Sequence, residues 1–221
     1  MACWAGLLVF SLSLEIDYRN PLTYVLVILQ AHLYTGLFIT AHDAMHGVVA
    51  PGNTKLNHAL GRISSTLFMF NDYSILLPKH HEHHRFVASE DDPDYHGGNP
   101  NFFLWFFKFA WEYVRIKQIL FAAISYNLLK LVLPMENLIL FWIVPSFLSM
   151  MQLFYFGTYL PHRGEHEAGN RHRSRSQKVN HLWAFISCYF FGYHYEHHES
   201  PATPWWLLWH RKEERTAQGL I

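Results

Sequence analysis

Cysteine is nearly missing from this 221-residue chain, which has only Cys3 and Cys188. One pair cannot build a disulfide framework, nor a zinc site of four thiolates. Net charge is missing too: 17 Lys and Arg balance 17 Asp and Glu, which removes the basic field that a nucleic-acid binder uses. Charged residues make up 15% of the chain against 51% apolar, the reverse of the balance that leaves a chain disordered. The length fits one domain or two, and residues 1–221 read as a single one.

Histidine and aromatic side chains are abundant: 17 histidines, with aromatics at 17%. Long apolar runs alternate with polar, histidine-laden stretches, the split expected of an all-α integral membrane protein. A span needs about 20 mostly apolar residues. Leu22 to Ala41 and Leu138 to Leu160 meet that length, and bilayer helices tolerate Pro145 and Gly157. Ile116 to Leu133 is a third candidate, with Lys117 and Lys130 able to snorkel at its ends. Cys3 to Ile16 is short, a truncated first helix without the cleavage site of a removable signal peptide.

The links Asp17 to Pro21 and Pro134 to Asn137 carry one basic residue and none, whereas most others lie in residues 42–115 and 161–221. The positive-inside tendency makes these longer stretches cytoplasmic. The expectation is four transmembrane helices, both termini inside, two short outer hairpins and a cytoplasmic histidine-rich cap, in a bacterial inner membrane. Ser64 to Leu77 and Leu182 to Tyr193 are too short to cross and should lie in or dip into the interface. Asn127 and Gln152, inside the spans, should meet another helix.

Helical geometry organises the histidines. His42 and His46 are four apart, and His80, His83 and His84 share one face, as do His194, His197 and His198, while His81 is rotated away. With His162 at the end of the last span, nine imidazoles converge on one side of the bilayer. Neutral imidazole binds metal, and nine donors exceed what one ion can use, so a di-metal site follows. Imidazole suits Zn, Cu, Fe and Ni alike, but a paired nitrogen-only site with open positions suits iron and oxygen chemistry. Asp43, with Glu196 a second candidate, should accept ring N–H groups and fix tautomers, and a water or the Thr158 hydroxyl is a candidate to complete a coordination shell. His32, His58, His96, His172, His181 and His210 read as surface or hydrogen-bonded histidines. "DDPDYH" (Asp91 to His96) reads as a turn, "TPWWLLW" (Thr203 to Trp209) as an aromatic anchor at the headgroups, and "RHRSRS" (Arg171 to Ser176) as a solvated basic loop near anionic lipid.

The strings "FITAHDAMHG", "KHHEHHRF", "DDPDYH", "LFYFGTYLPHR" and "FGYHYEHHESPATPWW" resemble the bacterial and algal β-carotene ketolases, within the membrane desaturase and hydroxylase superfamily. The likeness runs in order along nearly the whole chain. The histidine boxes are shared across the superfamily, while "AHDAMHG", "GTYLPHR" and the closing "PWW" narrow it to the ketolases. The resemblance implies two iron ions, O2 as co-substrate, a ferredoxin-like electron donor and a carotenoid substrate. It implies oxidation of the C4 methylene of β-ionone rings, twice, with loss of water to a ketone, giving echinenone and canthaxanthin or, from a hydroxylated precursor, astaxanthin. Phe86 and Phe190 stand where the family usually has histidine, and the N-terminus is shorter than its norm. The alternatives are an acyl-lipid desaturase or hydroxylase with the same site, and a membrane metal-transport or storage protein. The last would need intramembrane histidines lining a pathway, and only His32 lies well inside a span.

Overall fold

The computed structural model describes residues 1–97 and 99–220, and among them every regular element is helical. Helix α1 spans Ala2–Leu12, α2 Pro21–Met45, α3 Thr54–Leu67, α4 Tyr73–Phe86, α5 Phe102–Tyr113 and α6 Ile116–Leu129. A continuous helix α7 follows over Met135–His162, then α8 His181–Cys188, α9 His194–Glu199 and α10 Leu208–Ala217. Most starts are written in short polar side chains. Asn20, Asn53, Asp72, Asn101 and Asn180 each accept a hydrogen bond from a first-turn backbone N–H of α2, α3, α4, α5 and α8, which satisfies donors that have no partner within the helix.

Helices α2 and α7, of 25 and 28 residues, measure roughly 37 and 42 Å at 1.5 Å per residue. Both are long and apolar enough to cross a membrane. They lie side by side and run the same way. At their starts Tyr18 bonds Glu136, and Asn137 donates to the carbonyl of Leu14 at 2.7 Å. Further along, Thr35 meets Ser149 at 2.8 Å and Gln152 at 2.6 Å, while Gln152 donates to the Ser187 carbonyl. Gln152 thus ties α2, α7 and α8 together as the sequence led us to expect. Asn127 does not: its amide bonds the Ala123 carbonyl one turn back on its own exposed face.

Helix α7 contains two widened π turns, Ile139–Ile143 and Phe154–Tyr159, each followed within two residues by a proline, Pro145 and Pro161. Proline has no N–H to give and its ring crowds the carbonyl four residues back, so the wider turn lets the helix continue. Helices α1 and α6, of 11 and 14 residues, are shorter than the apolar runs Cys3 to Ile16 and Ile116 to Leu133. The segment Ser64 to Leu77 divides into the end of α3, a turn with Met69 and Phe70 at positive φ, and the start of α4. Close packing of α3 on α2 depends on Gly61, where a Cβ would lie 2.8 Å from that of Ala44 and against the Tyr73 ring. Large apolar side chains are exposed along α2, α5, α6 and α8, among them Ile28, Phe107, Trp111, Ile116, Leu128 and Leu182.

Candidate metal centre

Four helix segments meet at the C-terminal end of the α2–α7 pair. The last turn of α2 presents His42, and His46 caps it; α4 presents His80, His83 and His84; α7 ends on His162; and α9 adds His194, His197 and His198. All nine come together, in two groups. His42, His46, His80, His84 and His197 form one, and His83, His162, His194 and His198 the other, with donor atoms in each group within 4.8 Å of one another.

The nitrogens face inward. His46 and His80 bring their Nε2 atoms to 2.7 Å, His84 and His197 to 3.0 Å, His162 and His194 to 2.9 Å, and His83 and His198 to 3.2 Å. Two nitrogens bound at right angles to one ion, each about 2.1 Å from it, lie roughly 3 Å apart, so these spacings suit shared cations. The buried Nε2 of His42 has no hydrogen-bond partner at all, an expensive arrangement unless a cation is its partner.

The outer nitrogens are held in several places. His83 Nδ1 donates to Asp92 at 2.9 Å, His162 Nδ1 to the Arg173 carbonyl at 2.8 Å, and His42 Nδ1 lies 3.3 Å from Asp43 Oδ1. Protonating Nδ1 leaves the Nε2 lone pair free to bind a metal. Burial, with neighbouring imidazoles second, holds His194, His197 and His198 well below the usual imidazole range, and burial pushes His84 down to about 2. All four imidazoles are therefore neutral at physiological pH, the form that binds a metal. Burial alone would lower His83 as well, but the Asp92 hydrogen bond and the Asp92 and Asp94 charges overcome it and raise its pKa.

Among the residues expected to steady the rings, Asp43 touches His42 and also accepts the Trp205 backbone N–H at 3.0 Å, bracing the C-terminal segment. Glu196 is placed otherwise than the sequence led us to expect. It accepts from Ser176 at 2.5 Å and Lys212 at 3.3 Å, with Arg215 at 3.6 Å, and anchors α9 to α10 instead of meeting a ring. The reason is that it leaves α9 on the side opposite the three histidines, toward the buried Lys212. Thr158 is buried in the second π turn and lines a cavity beside His194. Sequence reasoning missed Asp92 and Asp94. Its turn is real, since Asp92 accepts the N–H of Ala88 and of Asp94, but the same carboxylate has lone pairs left for His83. Acids a few residues past a histidine box were the available signal.

The other histidines stay out of both groups. His32 stacks on Tyr189 with ring centroids 4.3 Å apart, His58 bonds the Tyr73 hydroxyl, His181 bonds the Tyr193 hydroxyl and Glu213, and His210 pairs with Glu214. Phe190 stacks near Trp205, and Phe86 lies against Arg85.

An apolar cavity of about 280 Å³ reaches the centre. Phe38, Phe68, Phe109, Phe147, Met150 and Leu153 form much of its wall, and His42, His80, His83 and His194 its inner end.

A profile described as "Fatty acid desaturase" matches residues 19–132 and 110–215. Over 212 residues the chain is 36% identical to the beta-carotene ketolase of Paracoccus sp. (strain N81106 / MBIC 01143), covering 94% of this chain and 87% of that protein. The chain belongs to the fatty acid desaturase family, in its β-carotene ketolase branch. Two algal members of that branch are similar as well. The zeaxanthin 4-ketolase of Chlamydomonas reinhardtii is 45% identical over 80% of this chain and 41% of its own length. The beta-carotene ketolase of Haematococcus lacustris is 41% identical over 86% and 61%. The chain therefore spans about half the length of these algal relatives. No solved structure matches the chain.

Proposed function

We propose that the chain is a membrane carotenoid 4-ketolase, acting on the C4 methylene of β-ionone rings in β-carotene or its 3-hydroxylated derivatives. The observation that carries this reading is the meeting of nine inward-facing imidazoles with the inner end of an apolar cavity. His42, His46, His80, His84 and His197 would hold one iron ion, and His83, His162, His194 and His198 the second. When bound, the pair supplies oxygen activation, using O2 and electrons from a ferredoxin-like donor. Each hydroxylation consumes one O2, two electrons and two protons, inserts one oxygen atom and releases one water. A second hydroxylation at the same carbon gives a geminal diol that loses water to the ketone.

The protein's own part is placement and exclusion. The cavity lies near the low end of ligand pockets, about 300 Å³, so it takes a ring while a long polyene extends outward into lipid. Phe38, Phe109, Phe147 and Phe191 give rigid walls to a rigid substrate and keep water from the reacting carbon. Asp92, Asp43 and the Arg173 carbonyl orient ligands from behind, and Thr158 offers a hydroxyl at the cavity wall. Residues 1–221 act as one domain. We place α2 and α7 across the bilayer, each paired with a shorter apolar helix, α1 or α6, as four segments in two hairpins. The basic stretches and the metal centre then lie on the cytoplasmic side of a bacterial inner membrane.

Expression in a β-carotene-producing host tests the reading. Ketocarotenoids should accumulate, and His83→Ala or His197→Ala should abolish them. The family match keeps an acyl-lipid desaturase or hydroxylase as the second reading. Unchanged pigment with an altered lipid profile would select it.

A further inference from the structure

The two faces of the centre differ. The cavity touches His42, His80, His83 and His194, whereas His198 backs onto His172, with ring centroids 6.1 Å apart. His172 is half-buried, set edge-on to Tyr195 at 5.1 Å, and its Nε2 accepts a hydrogen bond from the Arg171 side chain at 3.0 Å. It stands between a buried ligand and solvent.

Along its own loop the charge is mostly of one sign. Residues 163–178 carry Arg163, Arg171, Arg173, Arg175 and Lys178, all exposed, against Glu165 and Glu167, in a chain of zero net charge. Arg173 and Arg175 fold the loop by donating to the carbonyls of Ala88, Arg163 and Glu165. Arg171, whose side chain is 68% exposed and lies 3.6 Å from Glu199, and Lys178 project from it.

We infer that residues 163–178 are the landing surface for an acidic one-electron carrier protein, and that the electron enters beside His172, on the side of the centre away from the substrate cavity. The inference rests on the oxygenase reading, which needs two electrons per hydroxylation delivered to the ions that the buried imidazoles would hold. In each transfer the carrier is oxidised, the metal centre is reduced, and no bond forms or breaks. Redox encounters of this kind bury little area, so rim charges govern how fast and how tightly the partners meet. Substrate and electrons thus approach from different sides, and a bound carotenoid does not block the carrier.

The test is the affinity of the full chain, in phosphatidylcholine nanodiscs without substrate, for a soluble acidic [2Fe–2S] ferredoxin at low ionic strength. Wild-type binding should weaken with salt. Arg171→Glu with Lys178→Glu should weaken it about tenfold, while Lys55→Glu, a reversal elsewhere, should leave it unchanged. His172→Leu should keep the affinity and slow ferredoxin reoxidation by the iron-loaded protein. Equal affinity of the double variant and wild type, or binding indifferent to salt, would overturn the inference. So would an effect of the double variant confined to vesicles containing phosphatidylglycerol, which would make the loop a lipid contact. Ferredoxin binding as expected with no carotenoid oxidised would instead sink the oxygenase reading and leave the surface standing.

Discussion

His83 and Asp92 form a buried couple: the ring Nδ1 lies 2.9 Å from one carboxylate oxygen and 3.1 Å from the other, and both residues are at most 3% exposed. The carboxylate fixes which nitrogen carries the proton, so the opposite nitrogen faces His198. Asp92→Ala should therefore lower iron affinity roughly 10- to 100-fold. Metal analysis of the purified variant should show preferential loss of one of two ions, and equal retention of both would refute the pairing.

Metal and fold should be linked. Nine imidazoles whose lone pairs face one another stabilise the fold fully only with cations between them. Chelation should lower the thermal midpoint and added Fe2+ should restore it, with a gain of about 3 kcal/mol when free metal is 100-fold above Kd. A midpoint indifferent to chelator would exclude a structural contribution from the ions.

Acid should destabilise the chelated protein. In the folded state burial keeps His84, His194, His197 and His198 neutral far below the usual imidazole range. In the unfolded chain they titrate near pH 6.5. Below that value the unfolded chain binds more protons, so stability falls with pH, by about 1 kcal/mol per pH unit for each imidazole concerned. Asp94, pushed up to about 6 by burial from an ordinary 3.8, works in the opposite direction between those two values. His83, raised by its acidic neighbours, also holds its proton more tightly when folded, so these are two groups against several. Denaturant titrations at pH 8, 6.5 and 5 should show little change between the first two and a clear drop at the third.

The ion pair of Lys212 and Glu196, each with a side chain only 1% exposed, should tolerate joint replacement better than single replacement. Lys212→Met leaves a buried carboxylate with only Ser176 and Arg215, at a cost of about 3 kcal/mol or more. Adding Glu196→Gln should recover much of it. Iron content should follow the thermal midpoint through this series, because Glu196 lies between His194 and His197 on the same helix.

The two cysteines should differ in reactivity. Cys188 is buried, and burial raises its thiol far above the ordinary range, whereas Cys3 is exposed. A maleimide should leave Cys188 untouched until the protein is denatured, and labelling in the folded state would contradict its packing.

The clustered histidines were legible because their placement depends on short-range geometry. Spacings of three and four place imidazoles on one helix face whatever the rest of the chain does, so eight candidates were visible, and His162 followed from its place at the end of the last span. The partners of Glu196 were not, since they come from Ser176 and from Lys212 and Arg215 on α10, and only tertiary packing brings them near. Asp92 was half legible, as a turn residue whose second role depends on where α4 points. Hydropathy also overran the true ends of α1 and α6, because apolar residues such as Leu131 and Val132 continue past the last helical turn.

The composition of the two donor groups constrains when the centre can be completed. Each draws on the helix Tyr73–Phe86 and on the late segment His194–Glu199, with His162 needed by one and His197 by the other. During synthesis one group is whole only once the ribosome has passed residue 197, and the other only past residue 198. A metal held by either full group can therefore be acquired only by a nearly finished chain, and a product stopped short of that point holds no complete group.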